Sequence, residues 1–130
     1  TISTGTIIKP TKTLSDELMR TYLSAAGIDS VNQVLNNIYL NEQTAYTLNE
    51  DEAIYFSDDL VQLKKIPDAI SYLKSLSKLY PKSFKIMSAF GDVYYKDNNN
   101  GLALKYYRSA AQIDNTNQRV NNLIKKLSTK

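Results

Sequence analysis

The sequence predicts an all-α chain built from antiparallel helix pairs. From Leu14 onward apolar residues recur at helical spacing, with no sustained period-two alternation. Gly27, Pro67, Pro81 and the Asn98-Asn99-Asn100-Gly101 run cut that pattern into helix-sized segments. A 34-residue offset then brings residues of like character onto one another.

Each element follows from its own residues. Residues 1–13 hold β-branched Thr and Ile, Gly5 and Pro10 without helical periodicity, and read as an extended leader or linker. The helices are expected over residues 14–26, 29–41, 50–64, 67–80, 84–97, 101–113 and 116–128. In the first, Asp16-Glu17 place acids where the helix dipole favours them, and Gly27 ends it by tolerating left-handed closure. The second runs into a loop over residues 42–48. The third opens on Asn49-Glu-Asp-Glu52, a capping-box-like start. Pro67 can only begin the fourth, whose buried stripe is Ala69, Leu73, Leu76 and Tyr80, and Pro81 closes it. The fifth runs to the Asn-rich break, and the sixth starts from it. The last carries Val120, Leu123, Ile124 and Leu127 on one stripe with Asn121, Asn122, Lys125 and Lys126 opposite, as expected of a helix that caps one end of a stack.

The offset is specific in content. It sets Phe56 on Phe90, Ser57 on Gly91, Leu60 on Tyr94, Ala69 on Ala103, Leu73 on Tyr107, Leu76 on Ala110 and Pro81 on Asn115. A 38-residue shift relates an earlier unit, with Leu18 on Phe56, Tyr22 on Leu60, Val31 on Ala69, Leu35 on Leu73 and Ile38 on Leu76. In the unit 84–117 the large, large-Gly, Tyr and small-large-small stations are Met87, Phe90-Gly91, Tyr94, Ala103, Tyr107 and Ala110, and this resembles the tetratricopeptide repeat, a 34-residue helix-turn-helix unit. The resemblance implies a right-handed superhelix of about three such units, at residues 14–48, 50–83 and 84–117, plus a cap at 116–128. Gly91 and Ala103 would be the points of close helix approach, because only small residues permit short interaxial distances.

Composition narrows the chemistry. No His and no Cys means no His general base, no Ser-His-Asp or Cys-His pair, and no Cys/His zinc site. The longest apolar run, Ala53 to Phe56, is far too short to span a membrane, and no signal peptide is visible. A chain that starts without Met is expected to be a processed product or a piece of something longer. The net charge of +3 conceals a division: residues 1–60 carry three bases against nine acids, net −6, and residues 61–130 carry thirteen bases against four acids, net +9. Only two of those thirteen bases are Arg and they are dispersed, so solvated helix faces are expected rather than a nucleic-acid surface.

Chemical motifs read as coincidences. Ser71 to Lys74 and Ser75 to Lys78 both spell S-x-x-K, and Tyr39-Leu-Asn41 spells Y-x-N, yet the serines fall within a helix and no K-T-G strand motif accompanies them. Asp58-Asp59 and Glu50-Asp51-Glu52 read as capping and wet-face carboxylates. Of ten tyrosines, Tyr94, Tyr107 and Tyr72 fall at packing stations and Tyr22 and Tyr80 on the stripes above, leaving Tyr39, Tyr46, Tyr55, Tyr95 and Tyr106 for possible exposure.

The resemblance implies a noncatalytic module without cofactor or metal, taking a peptide or protein segment along the first helices of its units. Carried across residue by residue, its groove stations are Ile54, Asp58 and Val61 in the middle unit and Ser88, Asp92 and Tyr95 in the last, with Asp51, Gln62, Lys85 and Lys96 beside them. The carboxylate-clamp subgroup needs Asn where this chain has Asp58 and Asp92, so an acidic spot flanked by Ile54, Val61 and Tyr95 is expected to suit an apolar peptide with a basic residue. On that expectation, Asp58→Lys with Asp92→Lys weakens capture while leaving the melting temperature nearly unchanged. A looser resemblance in spacing links Pro10, Ala26-Gly27-Ile28, Leu48-Asn49-Glu50, Pro67-Asp68 and Gly91-Asp92 to the helical tail of some exported bacterial serine hydrolases of the β-lactamase-related class and of some esterases. It implies an accessory domain packing against an upstream catalytic domain, and an exported location.

Overall fold

The computed structural model describes residues 14–24, 27–40 and 50–129. Those residues form α1 (Leu14–Ser24), α2 (Ile28–Leu40), α3 (Glu50–Gln62), α4 (Ile66–Leu79), α5 (Phe84–Lys96), α6 (Asn100–Ile113) and α7 (Gln118–Ser128), with no strand among them. The leader, the 42–48 loop, Asn49 and Tyr46 lie outside the described residues.

Local chemistry explains the boundaries. Ser83, Asn99 and Asn117 cap α5, α6 and α7, each accepting from a backbone N–H three residues on: Ile86 at 3.2 Å, Leu102 at 3.2 Å and Val120 at 3.0 Å. The α7 cap falls two residues later than periodicity suggests, because Asp114 holds the preceding turn by accepting from the Thr116 N–H (2.9 Å) and hydroxyl (2.6 Å). Helices α3 and α5 end at Gln62 and Lys96, short of the expected 64 and 97, since Lys64 (φ 65°) and Asn98 (φ 62°) turn left-handed. Gly27, at φ 122°, makes the bend into α2. Lys64 and Asn98 are 34 positions apart, as are the Ser83 and Asn117 caps.

Sequence neighbours pack on one another, α2 and α3 excepted, and the first five helices also pack on the helix two along. The contacts are α1 with α2 and α3, α2 with α4, α3 with α4 and α5, α4 with α5, α5 with α6, and α6 with α7. One continuous core results, in which Leu18, Val31, Leu35, Ala53, Phe56, Leu60, Ala69, Leu73, Leu76, Ala103, Tyr107 and Ala110 are wholly buried. Phe56 is the hub of its first half: Tyr22 meets it edge-on at 6.1 Å and Tyr72 at 4.9 Å. In the second half Tyr106, expected to be exposed, instead stacks on Phe90 (4.6 Å) and Tyr94 (5.5 Å), because α6 turns this ring toward α5. Gly91 sits directly against the Tyr107 ring, where α5 and α6 meet.

The acids that open α3 join helices together. Glu52 accepts the Leu14 N–H of α1 at 2.9 Å, Glu50 accepts the Ser83 hydroxyl at 2.6 Å, and Asp51 pairs with Lys85 at 3.0 Å. The exposed Asp51–Lys85 pair is screened by solvent and worth little, while the Glu52 bond satisfies the first N–H of α1 and the Glu50 bond holds the cap residue of α5.

Tyr72 carries a defect. Its hydroxyl is buried without a partner among the described residues, and burial pushes its ionisation far upward. Tyr72→Phe should therefore raise stability, by about 1 kcal/mol, when measured by urea denaturation. A loss of similar size would mean that the hydroxyl is satisfied.

Tyr22 is the contrasting case, since its hydroxyl donates to Asp68 at 2.6 Å and ties α1 to α4. That bond to a carboxylate, with burial, raises its pKa from 10 to about 12. The folded state thus holds this proton more tightly than the unfolded state does. Stability from the bond is complete below pH 10 and lost as pH rises toward 12. The melting temperature should fall over that interval, and fall less in Tyr22→Phe. Identical pH profiles would contradict the linkage.

Candidate functional site

Helices α3, α5 and α7 present one face to a shared cleft of about 690 Å³. From α3 come Asp58, Val61 and Gln62; from α5, Asp92, Val93, Tyr95 and Lys96; from α7, Arg119, Asn122, Leu123 and Lys126; Tyr107 of α6 reaches in between them. Its size lies within the about 300–1,000 Å³ of ligand pockets, and its apolar patches with a few charged groups are their usual make-up.

Four of the six stations expected from sequence meet here: Asp58, Val61, Asp92 and Tyr95. Ile54 and Ser88 do not line it. Ile54 is half-buried against the core, and buried Ser88 turns its hydroxyl onto the Lys85 carbonyl at 3.2 Å.

The α7 wall was not foreseen, although it changes the chemistry most. Arg119 lays its guanidinium on Asp92 with two bonds, Nη1 to Oδ1 at 2.9 Å and Nη2 to Oδ2 at 3.3 Å, and the Tyr107 hydroxyl donates to the same Oδ1 at 2.6 Å. Lys126 donates to the Tyr95 hydroxyl at 2.9 Å and lies 5.6 Å from that ring's centre. Asp92 is therefore a structural junction of α5, α6 and α7. Asp92→Lys would break all three bonds and face Arg119 with a like charge, so the expectation that the paired lysine variant keeps its melting temperature does not hold for this half. A signal did exist: Arg119 and Lys126 lie seven residues apart on α7, hence on one side of that helix.

Asp58 differs. It is exposed and has no hydrogen bond or ion pair to a described residue. Partial desolvation, then the carboxylates of Asp92 and Asp59, hold its carboxyl above the usual range, and Lys96 offsets this only in part. A raised carboxyl pKa favours the protonated folded form, so this group disfavours the fold at neutral pH. Asp58→Asn is expected to leave the melting temperature unchanged or raise it.

The S-x-x-K serines occupy other ground, on α4. Asn32 Nδ2 approaches the Ser71 hydroxyl at 3.5 Å, and Lys74 and Lys78 are exposed. Compared with protein-family models and with curated proteins, the chain matches none.

Proposed function

We propose that this chain is a noncatalytic helical-repeat module of the tetratricopeptide kind, whose α3–α5–α7 cleft binds an extended segment of another protein. The observation that carries the reading is the cleft itself: α3, α5 and α7 converge on apolar Val61, Val93 and Leu123 beside Asp58, a charge without an ion-pair partner among the described residues. Support comes also from the 34-residue recurrence of left-handed turns, caps and buried small residues, which a stack of equivalent units requires. An extended peptide gains from such a surface by burying alternate side chains between helices.

Peptide display on the full chain tests this. Selected peptides should compete with one another and lose binding when Val61→Glu and Leu123→Glu are introduced together. Selected peptides indifferent to that pair would remove the cleft from consideration. Ester and β-lactam probes should not be turned over, and turnover abolished by Ser71→Ala would overturn the noncatalytic part.

A second reading has its own observation. Leu23 (70% exposed) and Leu40 (76%), at the ends of α1 and α2, leave apolar surface on the first helix pair, as docking to another domain of the same polypeptide would use. Such a complex should weaken with Leu23→Glu and Leu40→Glu and be unaffected by Val61→Glu.

A further inference from the structure

Asp58 and Asp92 are equivalent residues one 34-residue step apart. Around Asp92 two groups complete the carboxylate: the Tyr107 hydroxyl at 2.6 Å and the Arg119 guanidinium at 2.9 and 3.3 Å. The same step places Leu73 and Lys85 about Asp58. Leu73 has no hydroxyl and is wholly buried, and Lys85 is committed to Asp51 at 3.0 Å. Asp58 thus keeps the carboxylate of the arrangement and lacks both its phenol and its guanidinium. Its carboxylate neighbours, Asp59 and Asp92, add negative potential, and Lys96 is the opposing charge.

We propose that Asp58 is the receptor for an arginine side chain of the bound segment, which makes there the contact that Arg119 makes with Asp92. The inference rests on the cleft being a segment-binding site and names what that segment must carry. Arginine fits better than lysine, because a planar guanidinium can use both carboxylate oxygens and is more weakly hydrated than an ammonium. A single arginine fits better than a basic run, because Lys96 and Lys126 already stand in the same cleft. Apolar residues on either side of the arginine would lie over Val61 and Leu123.

The test is a titration of the ¹⁵N-labelled full chain with an acetylated, amidated Thr-Val-Arg-Leu-Ser peptide. Its citrulline counterpart has the same shape without the charge. The arginine peptide should shift the amides of residues 58–62 and 92–96 and bind about tenfold or more tightly than the citrulline peptide, the effect of a charged hydrogen-bonded pair. Asp58→Asn, expected to fold at least as well as the parent, should abolish that difference. Equal binding of the two peptides overturns the arginine assignment and leaves the cleft reading standing. Preference for arginine that survives Asp58→Asn also overturns it, placing the cation elsewhere. If neither peptide shifts the cleft amides, the cleft reading falls and the proposal with it.

Discussion

Gly91→Val should destabilise the chain by about 3 kcal/mol, at the upper end of what overpacking costs. Even the first carbon of a side chain there would lie 2.5 Å from Cε1, 2.6 Å from Cδ1 and 2.9 Å from Cζ of Tyr107. The ring cannot easily withdraw. It is wholly buried, and its hydroxyl is held by Asp92, which Arg119 holds in turn. The strain therefore spreads across α5, α6 and α7, and a loss of roughly 10 °C in melting temperature is expected for a domain of this size. Gly101→Ala is the matched control. Its added carbon would find only Asn99 Oδ1, at 4.0 Å, so the helix-propensity gain of up to about 1 kcal/mol should appear unopposed. A tolerated Gly91→Val would mean that α5 and α6 do not meet through this residue.

Phe56→Ala should cost about 3–5 kcal/mol, because a wholly buried ring leaves a cavity that its neighbours fill only in part. The neighbours here are themselves large and fixed. Tyr22 is tied to Asp68 and Tyr72 is wholly buried, and both meet the Phe56 ring edge-on. Phe56 lies where α1, α3 and α4 converge, so urea denaturation should show a lower midpoint for the whole chain. A loss below about 1 kcal/mol would point to a loose first half that collapses into the space.

The helices were open to reading because apolar spacing and Gly, Pro and Asn act locally. The stripe Ala69, Leu73, Leu76 shows its period within one segment, and Gly27 and Asn98 announce left-handed turns by residue type. Lys64 does not. It adopts the same turn as Asn98, and only its place 34 residues earlier gives it away. The cleft was half readable for a similar reason. Asp58, Val61, Asp92 and Tyr95 follow from helix geometry within one unit, whereas the Arg119–Asp92 and Lys126–Tyr95 contacts depend on how close α7 comes to α5. No local pattern encodes that distance. Acidic Glu50 and Glu52 show the same limit: residue type suggests helix capping, and tertiary packing delivers them to Ser83 and to the start of α1.

Hydrogen–deuterium exchange of the full chain, with and without a peptide selected on it, tests most directly the claim that α3, α5 and α7 form the binding face. Protection should be confined to residues 54–62, 88–96 and 119–126, with α2 and the exposed side of α4 unchanged. Protection restricted to α2 and α4, with the cleft residues exchanging as before, would contradict it.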